Sequence, residues 1–136
     1  MDRAHPVIPG GFEVVAGAGS LRSVSGVTFP HRWTPAGVSV ETDFTGGHLL
    51  NLAAAGCVLN DLYREAATLG IELAGARVTV TGGFDTATWA STGISYRVEL
   101  DSAAAEPELD RLLTVVDAVA EIPRALRAGA AVRRVS

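Results

Sequence analysis

The spacing of apolar and polar residues divides the chain into a definite series of elements. Val38-Ser39-Val40-Glu41-Thr42 alternates as a strand with one solvated face. After the Gly46-Gly47 break, Leu49, Leu52, Ala53, Gly56, Leu59 and Tyr63 recur at helical spacing. That spacing predicts a long helix over His48–Leu69, ended by Gly70. Ala54, Ala55, Cys57, Val58, Leu62 and Ala66 carry the apolar surface around most of its circumference. Such a helix belongs between a sheet and another helix. Gly56 weakens helix propensity, which makes physical sense if another backbone approaches it closely.

Further strands are expected over Ile71–Phe84 and around Ile94, Tyr96, Val98 and Leu100, with a loop or bulge over Asp85–Thr92 between them. Pro107 opens a second helix, with Glu106 and Glu108 suited to its positive end. Its apolar face is Leu109, Leu112, Leu113, Val116 and Val119; Pro123 interrupts or restarts it. The segment 12–28, broken by Gly17, Gly19 and Gly26, reads as a first hairpin, after a loose lead-in over residues 1–11. Ala130–Val135 is a candidate short edge strand. Two consecutive strands after the long helix give an α+β order, not a doubly wound one.

Composition narrows this picture. The 136 residues show no compositional break and are read as one domain, 1–136. Hydrophobic residues are 48% but aromatics only 6%, so the core is built from Ala, Val and Leu, and a partner subunit is expected to complete its apolar surface. A net charge of −4 argues against nucleic acid, despite Arg124, Arg127, Arg133 and Arg134 near the end. The apolar runs contain polar residues and fall short of the roughly 20 needed to cross a membrane. With no leader-like start, the chain reads as soluble and cytoplasmic.

The chemistry-bearing residues are sparse. Cys57 is the only cysteine, which excludes an internal disulfide and a zinc cluster of several cysteines. It lies well inside the helix, with Asn60 and Asp61 one turn on, so local charge opposes a thiolate. An activating cation has to come from elsewhere in the fold, and Arg22 and Arg32 are the candidates. The alternative is a buried structural thiol. His5, His31 and His48 form no metal set, although His48 and Asp43 fit one cleft rim. Trp33 and Trp89 are candidate pocket walls, and the loop-to-helix glycines lack any nucleotide-binding pattern. No cofactor is expected.

Glu41-Thr42-Asp43-Phe44-Thr45-Gly46-Gly47 running into Leu49-Leu50-Asn51-Leu52-Ala53-Ala54-Ala55-Gly56-Cys57 resembles the OsmC/Ohr family of osmotically induced and organic-hydroperoxide-resistance proteins. The resemblance continues to Ala120-Glu121-Ile122-Pro123-Arg124-Ala125-Leu126. It implies an intertwined homodimer, with antiparallel sheets packed around long central helices. It also implies a peroxidase in which a first cysteine attacks the hydroperoxide, a second resolves the sulfenic acid, and a Glu-held Arg favours the thiolate. Cys57 takes the first position. The second falls on Ile122 or Ala120, depending on the register, and the glutamate falls near Gly47. The reading that follows is a non-peroxidase member with a dimer-interface pocket around Cys57, lined by His48, Asn60, Asp61, Trp33 and Trp89, for a small apolar ligand. The alternatives are a one-cysteine, thiol-dependent organic hydroperoxide reductase, and a structural or assembly protein with an inert Cys57.

Overall fold

A computed structural model of the chain describes residues 11–136. Most of the expected lead-in, with His5, lies outside them. The elements are β1 (Val14–Gly19), β2 (Val27–Phe29), β3 (Val38–Glu41), α1 (Gly46–Leu69), β4 (Gly75–Phe84), β5 (Ser91–Asp101), α2 (Glu106–Val119) and α3 (Glu121–Ala128). The strands form one antiparallel sheet in the order β2-β3-β1-β4-β5. The α+β class read from the sequence is the observed one.

The first hairpin does not form. β1 pairs with β3 and β4, while β2 pairs only with β3 at the edge. Burial explains the exchange. Val14, Ala16 and Ala18 are completely buried, whereas all of β2 is exposed. A strand of such small residues admits a neighbour on each side and a helix across its face, so it takes the centre.

α1 starts at Gly46 because the Thr45 hydroxyl caps it, accepting a 3.1 Å hydrogen bond from the His48 N–H. It ends at Gly70, whose φ of 71° is a left-handed conformation that glycine adopts without strain. The helix packs on β1 and β4 and is covered by α2 and α3. Ala55, Val58, Leu59 and Leu62 of α1 meet Val78 and Val80 of β4 and Leu112 and Val116 of α2 in one buried cluster. Each large aliphatic side chain fully buried there contributes about 1.5–3 kcal/mol. Among the described residues nothing closely approaches Gly56: a Cβ added there meets no atom within 4 Å.

The start of α1 is fixed to the sheet by Asn51, which is 1% exposed. Its Nδ2 donates to the carbonyls of Phe12 at 2.9 Å and Gly82 at 3.1 Å. Gly82 borders an irregularity in the β4–β5 ladder, where a carbonyl is free to accept. Phe12 itself has a φ of 48°. Its ring stands edge-on to His48 and Phe84, over Gly47, where a Cβ would come within 2.7 Å of it.

The chain end differs from expectation. Residues 129–136 carry no helix or strand, and Val132 and Val135 are exposed. With those two side chains finding no apolar surface to cover, the segment gains little from pairing at an edge.

Candidate functional site

Cys57 faces the junction between α2 and α3. Ala120, buried and extended, ends α2 and turns the chain so that α3 restarts beside α1. The first turn of a helix has backbone N–H groups without helical partners. That of Ile122 donates to Cys57 Sγ at 3.5 Å. Pro123 follows, where a missing N–H costs nothing. The thiol in turn donates to Glu121 Oε2 at 3.4 Å.

Asp61 lies one turn further along α1 and is 3% exposed. Arg64 binds its Oδ1 at 3.2 Å, and also reaches Glu65 at 3.1 Å and Glu121 Oε1 at 3.5 Å. Among the described residues Asp61 Oδ2 has no hydrogen-bond partner. Burial pushes the Asp61 carboxyl above the usual aspartate value, with Arg64 opposing. Burial also pushes the Cys57 thiol up. The Ile122 N–H opposes that rise, while the Glu121 hydrogen bond and the charges of Asp61 and Glu121 reinforce it. Glu121 moves the other way, held low by its own backbone N–H, the thiol and Arg64. Cys57 therefore acts as proton donor to a carboxylate. Its sulfur and one oxygen each from Asp61 and Glu121 all lie within 4.8 Å of one another.

The other sequence candidates are spread over the molecule. Arg22 sits in the turn after β1, its N–H bonded to the Gly19 carbonyl. Arg32 lies over the Trp33 ring, 5.7 Å from its centroid. Neither is among the groups bonded to Cys57. Asn60 is on a different side of α1 from Asp61, where Oδ1 meets His31 Nε2 at 3.1 Å. His31 also meets the Thr34 hydroxyl at 2.6 Å and stands edge-on to Tyr63. Trp33 adjoins His31. His48 is at the N-terminal end of α1, bonded to Thr45 and 3.8 Å from Asp43. Trp89 is exposed in the β4–β5 turn, held by the backbone bond to Asp85. The structure thus joins Cys57 with Asp61 and leaves the remaining candidates apart from them.

Two groups at the thiol were missed. Arg64 follows Asp61 by three residues and shares its helix face, a signal present in the sequence. Glu121 carries no helical-spacing signal; the family resemblance brings its neighbours Ala120 and Ile122 towards Cys57, and the α2–α3 turn is what aims Glu121 itself at the thiol.

Two apolar recesses flank α1, each of about 260 Å³. One lies towards β2 and β3, lined by Phe29, Val38, Leu52, Gly56 and Leu59, with His31 and Asn60 as polar members. The other lies between α1, β5 and α3, lined by Ala54, Ile94, Tyr96, Pro123, Leu126 and Arg127. There the Tyr96 hydroxyl and Arg127 both bind Asp117.

A family model described as OsmC-like protein matches residues 39–133. The fold is similar to the crystal structure of an OsmC-like protein from Mycoplasma pneumoniae, with a TM-score of 0.57 and 14% identity, over 88% of this chain and 89% of that one. It is also similar to an OsmC-like hydroperoxide resistance protein from Jannaschia sp. CCS1, with a TM-score of 0.52 and 12% identity, over 91% and 93% of the two chains. No curated protein matches the sequence.

Proposed function

Since the chain belongs to the OsmC-like protein family, we propose that it is a non-peroxidase member: a cytoplasmic homodimer that binds or transforms a small apolar or amphipathic ligand beside its central helix. The observation that carries this reading is the acidic surrounding of the only thiol. Reduction of a hydroperoxide needs a thiolate, and the one backbone N–H that favours it here, from Ile122, is outweighed by burial and the carboxylates. Here the sulfur points at Glu121, and the nearby Arg64 is shared among Asp61, Glu65 and Glu121. No second cysteine exists to resolve a sulfenic acid.

The recess towards β2 and β3 is the better ligand site. Its wall is apolar, and the His31–Asn60 pair offers polar groups to orient a headgroup. The second copy is proposed to cover the side of α1 that carries Leu49, Ala53 and Gly56, so that the recess becomes an interface cavity. Among the described residues no helix is long and apolar enough to cross a membrane.

A one-cysteine peroxidase is the second reading, favoured by the Ile122 N–H on the sulfur and by the Arg64–Glu121 pair beside it. The test is turnover of cumene hydroperoxide with a thiol donor and a chelator present. Native protein is compared with Cys57→Ser while intact mass follows oxidation. No turnover, with saturable binding of an apolar fluorescent probe that Leu52→Trp weakens, is the expected result. Rapid turnover abolished in Cys57→Ser overturns the proposal in favour of the peroxidase.

A further inference from the structure

We propose that Cys57, Asp61 and Glu121 form a binding site for one divalent cation of the zinc class. Their candidate ligand atoms lie within 4.8 Å of one another, and Cys57 Sγ is already 3.4 Å from Glu121 Oε2. In a tetrahedral zinc site, bonds of about 2.3 Å to sulfur and about 2.1 Å to oxygen set those ligands about 3.6 Å apart. One edge of the triangle therefore has coordination length; the exposed Glu121 side chain can shorten its edge to Asp61, and the Cys57–Asp61 edge, within 4.8 Å, closes by a small side-chain rotation on α1.

An independent observation comes from Asp61. Its side chain is 4% exposed, yet among the described residues Oδ2 has no hydrogen-bond partner, while Oδ1 is held by Arg64. A buried carboxylate oxygen without a donor is costly, and a cation between Asp61, the thiol and Glu121 satisfies it. Arg64 keeps its bond to Oδ1 and orients the carboxylate from outside, as partners of metal ligands commonly do. Arg64 contacts the other Glu121 oxygen, Oε1 at 3.5 Å, which leaves Oε2 beside the thiol for the metal.

The donor set selects the ion. Calcium and magnesium take oxygen ligands, whereas a thiolate with two carboxylates suits a borderline-soft ion. As the sulfur binds, the thiol proton passes to solvent, so uptake of one cation releases one proton. Three protein ligands leave a fourth position for water or a ligand atom. The carboxylates that disfavour a free thiolate are thus the groups that a cation needs. This site is separate from the recess at β2 and β3, and its test needs no peroxide.

Metal-free protein is titrated with cobalt(II) and then with zinc(II). We expect one cobalt per chain with a thiolate-to-cobalt charge-transfer band, stoichiometric displacement by zinc, and release of one proton to a pH indicator. Cys57→Ser removes the band. Glu121→Gln, at an exposed side chain that does not endanger folding, weakens binding at least about 10-fold. Asp61→Asn does the same, with circular dichroism confirming its fold, whereas the remote Glu72→Gln leaves affinity unchanged. Absence of the charge-transfer band from native protein overturns the proposal. So does native affinity in Glu121→Gln.

Discussion

Replacing Asn51 by Ala removes a side chain that is 1% exposed and donates to two backbone carbonyls, at Phe12 and Gly82. Each hydrogen bond carries a net value of about 1 kcal/mol, and a buried carbonyl left unpaired adds roughly 1–3 kcal/mol. With the Gly82 carbonyl the fully buried one, the sum is about 3–5 kcal/mol. For a chain of this length, one kcal/mol corresponds to roughly 3–5 °C in Tm, so the expected drop is about 10–25 °C. Asn51→Leu fills the space without restoring a donor, and should lose nearly as much. Asn51→Asp sets a carboxylate against two carbonyl oxygens and should lose more. Urea unfolding followed by circular dichroism measures all three, with an unchanged m-value reporting an intact denatured state. If Asn51→Ala stays within about 1 kcal/mol of the native protein, the two carbonyls are satisfied without Asn51, and the account of how α1 is anchored is wrong.

Two further outcomes follow from the recess. Burial lowers the His31 pKa below its ordinary 6.5, against the opposing Asn60 bond, so the unfolded chain binds the proton more readily. The stabilisation is present above that value and is lost as pH falls through the folded pKa. Stability measured from neutral pH down to about pH 5 should therefore fall more steeply in the native protein than in His31→Gln; equal slopes would count against a neutral, half-buried imidazole. At Gly56, a Cβ meets nothing among the described residues, so Gly56→Ala in an isolated subunit should gain about 1 kcal/mol of helix propensity. If a second copy packs there, Gly56→Leu should shift sedimentation from dimer to monomer. An unchanged dimer places the interface elsewhere.

The sequence by itself determined the long helix, its glycine end, the two strands after it and the helix opened by Pro107. In each case the information is local: helical or alternating spacing, a terminating Gly70, and a proline with acids at a helix start. The Leu49–Cys57 segment carried the family resemblance in the same way. Sheet order was not local. β1 and β2 look equally strand-like in the sequence, and only competition for the buried centre places β3 between them. The thiol environment divided along the same line. Asp61 and Arg64 are legible because a helix repeats about every 3.6 residues, bringing positions a few residues apart onto one face. Glu121 and Ile122 reach Cys57 only because Ala120 leaves the helical conformation and is buried, aiming the first turn of α3 at the sulfur. Spacing along the chain fixes what one helix presents, while the contact between helices depends on where both are packed.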